Sequence, residues 1–232
     1  MNVGEDKGKV VTDIIQERKP KVMLELGGYC GYSTILFGDA VRDGGGKYFS
    51  LERSPKFAKN IRSLVEFAGL SDAVEVVVGP SNEGIQHLYD GGLKNIDMMF
   101  LDHYKPAYTT DLKLCESLGL ISKGTVLAAD NVISPGNPPY LKYVRSSVKE
   151  KKMALLQEHD DTTNFPGRSA AQYGDVEKLG QVKGNPNLVY ESRLLESYEP
   201  TGVKVSCKNK SLDEANVMKD GVEITRCVGE EL

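Results

Sequence analysis

Five short apolar runs, each followed by a stretch of helical length, constrain this chain more than any other feature. They are "KVMLEL" at 21–26, "KYFSLE" at 47–52, "AVEVVVG" at 73–79, "IDMMFLD" at 96–102 and "GTVLAAD" at 124–130. Strands apolar at consecutive positions are covered on both faces, and strands separated by helices run parallel. The pattern predicts a doubly wound α/β sheet rather than a barrel, because it changes after the fifth unit. Helices are expected over 32–41, 54–69, 82–89, 108–118 and 138–152. The second has the clearest ends: Ser54 caps it, Pro55 fits its first turn and Gly69 closes it.

The last third reads differently. Residues 151–187 are polar and rich in Gly, Asn and Asp, a long and partly helical excursion. The basic cluster Lys149 to Lys152, broken by Glu150, reads as a solvated helix end. "NLVYESRLLESYEP" and "DGVEITRCV" give two further strands, expected as an antiparallel hairpin at one sheet edge, with 203–219 as an exposed insertion between them.

Composition narrows the partners. The formal net charge is -4, from 29 basic and 33 acidic residues, which argues against a nucleic-acid binder. No apolar run reaches membrane-spanning length, and "MNVGEDKGKV" has no signal-peptide core. Cys30, Cys115, Cys207 and Cys227 lack metal-site spacing and do not form a disulfide framework. Reduced thiols in a cytoplasmic compartment are expected.

The strand ends carry the chemistry. "LELGGYCGYST" puts Gly27, Gly28 and Gly31 directly after the first strand, where a ligand can approach the backbone. G-x-G-x-x-G and G-K-[ST] are both missing, which disfavours a dinucleotide or a P-loop phosphate. Glu52 ends the second strand, in the same crevice, where a carboxylate can accept both hydroxyls of a ribose. Glu25 either meets a ligand's ammonium or braces the turn. A nucleoside without phosphates fits best, and S-adenosylmethionine is such a ligand.

Asp102 closes the fourth strand, and Asp130 with Asn131 closes the fifth. Two converging carboxylates repel unless protonated or bridged by a cation. With the Asn131 carbonyl they make three hard oxygens, a set suited to Mg²⁺. The plainer alternative is that Asp130 and Asn131 cap the next turn. Lys105, in the loop after Asp102, can take a proton from a hydroxyl. His103 and Tyr104 offer flat surfaces to adenine.

Together, "LELGGYCGYS", "LERSP", "FLDHYK", "KGTVLAADNVISPG" and "MNVGEDKG" resemble the catechol O-methyltransferase family in its fungal or other microbial branch. The resemblance runs from Met1 to about Arg145 and returns near "YEPTG" and "DGVEITRCV". It implies a Rossmann-like methyltransferase fold: a mostly parallel seven-stranded sheet with a C-terminal antiparallel hairpin, in one domain over 1–232. It implies S-adenosylmethionine, Mg²⁺ and methyl transfer to one hydroxyl of a small catechol, by a monomer with no nucleic-acid or membrane partner.

The family's metal ligands fall on Asp102, Asp130 and Asn131, its base on Lys105 and its ribose acid on Glu52. Its cofactor pocket falls on Met1, Val3, Gly27, Tyr29, Ser33, Ser81, Asn82, Asp102, His103 and Tyr104. Its acid for the second catechol hydroxyl falls on Glu199, with Glu196 and Glu191 as rivals. Asn82 replaces a glutamine and Tyr104 a tryptophan. Two helices that usually precede Met1 in the family are missing, so a more open site is expected. The rival readings are a caffeoyl- or flavonoid-type methyltransferase, and a methyltransferase-like binding protein without turnover.

Overall fold

The five apolar runs form parallel strands, and the segments between them form helices. The computed structural model describes residues 2–156, 182–198 and 219–231. In chain order these hold α1 (Gly4–Arg18), β1 (Val22–Leu26), α2 (Tyr32–Asp43), β2 (Lys47–Glu52), α3 (Pro55–Phe67), β3 (Val74–Val78) and α4 (Ser81–Asp90). Then come β4 (Met98–Leu101), α5 (Ala107–Ser117), β5 (Val126–Ala129), α6 (Pro138–Arg145), α7 (Val148–Leu156), β6 (Leu188–Tyr198) and β7 (Lys219–Glu230). They make a seven-stranded sheet in the order β3-β2-β1-β4-β5-β7-β6. β1 to β5 pair in parallel, and β7 joins antiparallel to both β5 and β6. The protein thus has a Rossmann-like, mostly parallel sheet closed by a C-terminal hairpin.

Alternate strand residues feed two cores. Leu24, Leu26, Met99, Leu101, Leu127 and Ala129 face Ile85, Leu112 and Val144 of α4, α5 and α6. Met23, Met98, Phe100 and Ala128 face Val11, Ile15, Phe37, Val41, Ile61 and Val65 of α1, α2 and α3. Each large apolar side chain buried this way contributes roughly 1.5–3 kcal/mol. The strand order reverses between β1 and β4, and in open α/β sheets the crevice at such a point, beyond the carboxyl ends, holds the ligand.

α1 was not expected. Its inward positions include Lys7, Gly8, Val11 and Ile15, so a lysine and a glycine interrupt the apolar stripe. The helix expected over 138–152 is two helices, parted at Ser146, whose backbone is extended. Ser147 restarts it with a reciprocal cap. The Glu150 carboxylate accepts from the Ser147 N–H at 2.7 Å, and the Ser147 hydroxyl accepts from the Glu150 N–H at 3.3 Å.

Lys151 is not solvated: it is buried, donates to the Leu188 carbonyl at 2.6 Å and lies over the Tyr190 ring. Of the expected excursion, 151–156 complete α7 and 182–187 lead into β6, while 157–181 lie outside the described residues. The insertion expected at 203–219 also lies outside them, except Lys219, which begins β7. No described helix is long and apolar enough to cross a membrane. Cys30, Cys115 and Cys227 are free thiols.

Candidate functional site

Strand register assembles the site. Leu26 pairs with Leu51 on one side and Leu101 on the other, so Gly27 stands between the ends of β2 and β4. Leu101 pairs with Ala129, which sets Asp102 beside Asp130.

Gly27 has φ +94°, and a Cβ there would lie 2.8 Å from the Asp102 carbonyl oxygen. The position is therefore closed to side chains by the β4 loop itself, apart from any ligand. Gly31, also at positive φ, starts α2. Glu52 is nearly buried, and both its oxygens meet backbone donors: Oε2 accepts from the Tyr29 N–H and Oε1 from the Ser54 N–H, each at 2.7 Å. Each oxygen keeps a second lone pair for another donor.

Glu25 is fully buried, and its Oε2 accepts from the hydroxyls of Thr34 and Ser50 at 2.5 Å each. Burial pushes its carboxyl above the usual range. Of its two expected roles, the structure gives the bracing one: it ties α2 and β2 to the end of β1.

At the ends of β4 and β5, oxygens gather around one side-chain nitrogen. Lys105 Nζ donates to Asp102 Oδ1 and Asn131 Oδ1 at 3.0 Å each and lies 3.4 Å from the Asp130 carbonyl. It also donates to the Tyr108 hydroxyl at 2.6 Å. Asp130 Oδ1 accepts from Lys7 Nζ at 2.7 Å and from the Asn131 N–H at 2.8 Å. Burial, and then the neighbouring Asp102, push the Asp130 carboxyl up to about 7, against the pull of Lys7 and Lys105. Asn131 adopts φ +58°, a left-handed conformation that asparagine tolerates. Its side chain does not cap the turn that follows, Val132–Gly136.

One carboxylate and an amide oxygen meet Lys105 while the neighbouring Asp130 carboxylate is held by Lys7, and as a donor set these three side chains are of the kind that suits a hard cation such as Mg²⁺. Among the described residues, no cluster of three or more His, Cys, Asp or Glu side chains is placed to hold a metal ion.

The remaining expected residues are spread around this crevice. Val3 at the start of α1 and Ser33 in α2 are buried. Ser81 opens α4 half-buried, and Asn82 and Tyr29 are exposed. His103 turns into the protein: its Nε2 is 2.9 Å from Asp111 Oδ2, and its ring stacks on Tyr108 at 4.9 Å between centroids. Its Nδ1 is buried without a hydrogen-bond partner. Tyr104 is half-buried in the same loop. Glu191 and Glu196 are exposed on β6, whereas Met1 and Glu199 lie outside the described residues.

Sequence reasoning missed Lys7, Tyr108, Asp111 and Asp220. A charged residue in a polar helix, and an acid opening a late strand, give no local sign of burial. The "KDG" before the last apolar run was the one available hint, since Asp220 stands where that strand enters the sheet.

Comparison with known proteins follows this geometry. A family model described as "Methyltransferase domain" matches residues 24–132. The chain is 42% identical to catechol O-methyltransferase B of Danio rerio over 164 residues, which are 70% of this chain and 61% of that protein. It is 45% identical to catechol O-methyltransferase of Sus scrofa over 148 residues, 62% of this chain and 78% of that protein. The chain thus spans less than two thirds of the Danio rerio protein but more than two thirds of the Sus scrofa one. In fold it matches the O-methyltransferase from Bacillus cereus, solved in complex with SAH. The TM-score is 0.59 at 22% identity, covering 97% of this chain and 82% of that one.

Proposed function

The chain belongs to the catechol O-methyltransferase family, and on that premise we propose that it transfers a methyl group from S-adenosylmethionine to one hydroxyl of a catechol, with Mg²⁺ bound. The observation that carries the reading is the convergence of Asp102 Oδ1 and Asn131 Oδ1 on Lys105 Nζ, each at 3.0 Å, beside the glycine turn.

Asp102, Asp130 and Asn131 are the residues that would hold the ion. Bound there, a divalent ion would make a neighbouring catechol hydroxyl easier to ionise. Lys105 takes that hydroxyl's proton at Nζ, with Tyr108 holding the amine from behind. Glu52, fixed by its two backbone donors, accepts the ribose hydroxyls. Transfer forms one O–C bond and breaks one S–C bond. The charges on sulfur and oxygen cancel, so the chain's work is positioning and water exclusion rather than stabilising new charge. Glu199, the residue after β6, is the acid assigned to the spectator hydroxyl. The same reading takes 1–232 as one domain of a cytoplasmic monomer from a fungal or other microbial branch.

The test is incubation with labelled S-adenosylmethionine and a panel of catechols and simple phenols, with and without Mg²⁺. Label should pass only to vicinal diols and only with the ion. Equal transfer in the presence of a chelator, or to simple phenols, would overturn the reading.

A further inference from the structure

The oxygen set is held from behind by a residue near the other end of the chain. Asp220, the second residue of β7, is fully buried. Its Oδ2 accepts from Lys7 Nζ at 2.6 Å and from Asn131 Nδ2 at 2.9 Å. Its Oδ1 accepts from the backbone N–H groups of Ser134 at 3.0 Å and Ile133 at 3.3 Å. Lys7, itself fully buried, passes the connection on to Asp130 Oδ1 at 2.7 Å.

The consequence for Asn131 is chemical. An amide end facing a carboxylate must be the NH₂ end, because a carbonyl oxygen there would meet only lone pairs. Once Nδ2 is committed to Asp220, Oδ1 must point the other way, towards Lys105, as the 3.0 Å contact records. Without Asp220 both ends of the amide become admissible, and one of them turns two N–H donors towards the cation position. The carboxylate also fixes the backbone just beyond Asn131 through Ile133 and Ser134. Lys7 in turn holds the Asp130 carboxylate by one oxygen.

We propose that Asp220 is a positioning residue for the metal: with Lys7 it sets the orientation of Asn131 and Asp130, so that both present oxygen to the ion. The proposal rests on the metal reading above and adds to it the residue that decides which face of the amide the ion meets. Partners that orient metal ligands typically carry about 10- to 100-fold of metal affinity.

The experiment titrates the full chain with Mn²⁺ in the presence of S-adenosylmethionine, following free ion by electron paramagnetic resonance, for wild type, Asp130→Ala and Asp220→Asn. Wild type should bind and Asp130→Ala should not. Asp220→Asn should bind about 10- to 100-fold more weakly, with cofactor affinity within about twofold of wild type. Methyl transfer by this variant should recover most of its kcat at saturating ion, with the ion requirement shifted upward; a general loss of structure would lower kcat at every ion concentration. Wild-type affinity in Asp220→Asn overturns the proposal and leaves the metal reading intact. Failure of wild type to bind Mn²⁺ overturns both.

Should Asp220→Asn fail to fold, the unsubstituted protein still decides. The Asn131 side-chain NH₂ signals, identified by their loss in Asn131→Asp, should exchange slowly with solvent. Fast exchange would mean that Nδ2 is not committed to Asp220 and would sink the proposal.

Discussion

Lys105 Nζ stands 2.6 Å from the Tyr108 hydroxyl, which in turn donates to the Asp130 carbonyl at 3.2 Å. The amine is therefore fixed from the buried side, while Asp102 and Asn131 hold it from the side of the crevice. Lys105→Ala should lower methyl transfer by at least about 100-fold, the lower range for a lost general base. The deficit should shrink at high pH, where the catechol ionises unaided. Tyr108→Phe keeps the stack on His103 and should cost less than Lys105→Ala. An unchanged rate–pH profile in Lys105→Ala would remove it as the base.

Asp130→Ala should abolish Mg²⁺-dependent methylation while S-adenosylmethionine still binds. Transfer of labelled methyl and calorimetry separate the two effects. Lys7 keeps its second acid, Asp220, so the fold should survive the change. Activity near wild type would place the ion elsewhere.

Glu52→Gln replaces one of two acceptor oxygens by a donor that then faces a backbone N–H, of Tyr29 or of Ser54. Losing a charged hydrogen bond costs about 1.5–3 kcal/mol, so cofactor affinity should fall by roughly tenfold or more. Calorimetric titration checks it, and an unaltered dissociation constant would free the ribose from Glu52.

Gly27→Ala meets the Asp102 carbonyl at 2.8 Å and the His103 Cα at 2.9 Å, both backbone, at φ +94°. Strain at such a position costs on the order of 1–3 kcal/mol. The urea midpoint should drop accordingly, and activity with it, because the displaced loop carries Asp102. A midpoint equal to wild type would show that the loop yields freely.

Glu116 lies away from the crevice, buried, and accepts from the hydroxyls of Tyr143 at 2.5 Å and Tyr190 at 2.6 Å. Burial raises its carboxyl above 4.5. The folded protein then holds this proton to higher pH than the unfolded chain does. Stability from this group is full below that value and is lost as pH rises through the folded one. Glu116→Gln should therefore look most destabilised relative to wild type in acid, with the gap narrowing as pH rises. Urea unfolding at several pH values reads this directly, and a gap that widens with pH would reverse the assignment.

How much of this was legible turns on whether the deciding partners are local. The parallel strands were readable because two-faced cover leaves continuous apolar strings such as "MMFL". The acids at their ends stood out because each interrupts such a string. The start of α3 was readable in Ser54 and Pro55. α1 was not, since Lys7 looks like a solvent residue until Asp130 and Asp220 fold against it. Glu25 stayed ambiguous for the same reason: its hydroxyl partners come from α2 and β2. The break before α7 was written in the sequence as Ser147 and Glu150, a capping pair hidden inside an otherwise helical pattern.

Lys7 and Asp220 are 213 residues apart along the chain. During synthesis the parallel strands can pair before β7 exists, and throughout that interval the Lys7 ammonium lacks its contact with Asp220. Contacts of such long sequence separation form late. The oxygens at the ends of β4 and β5 thus gain their full backing only once β7 has joined the sheet.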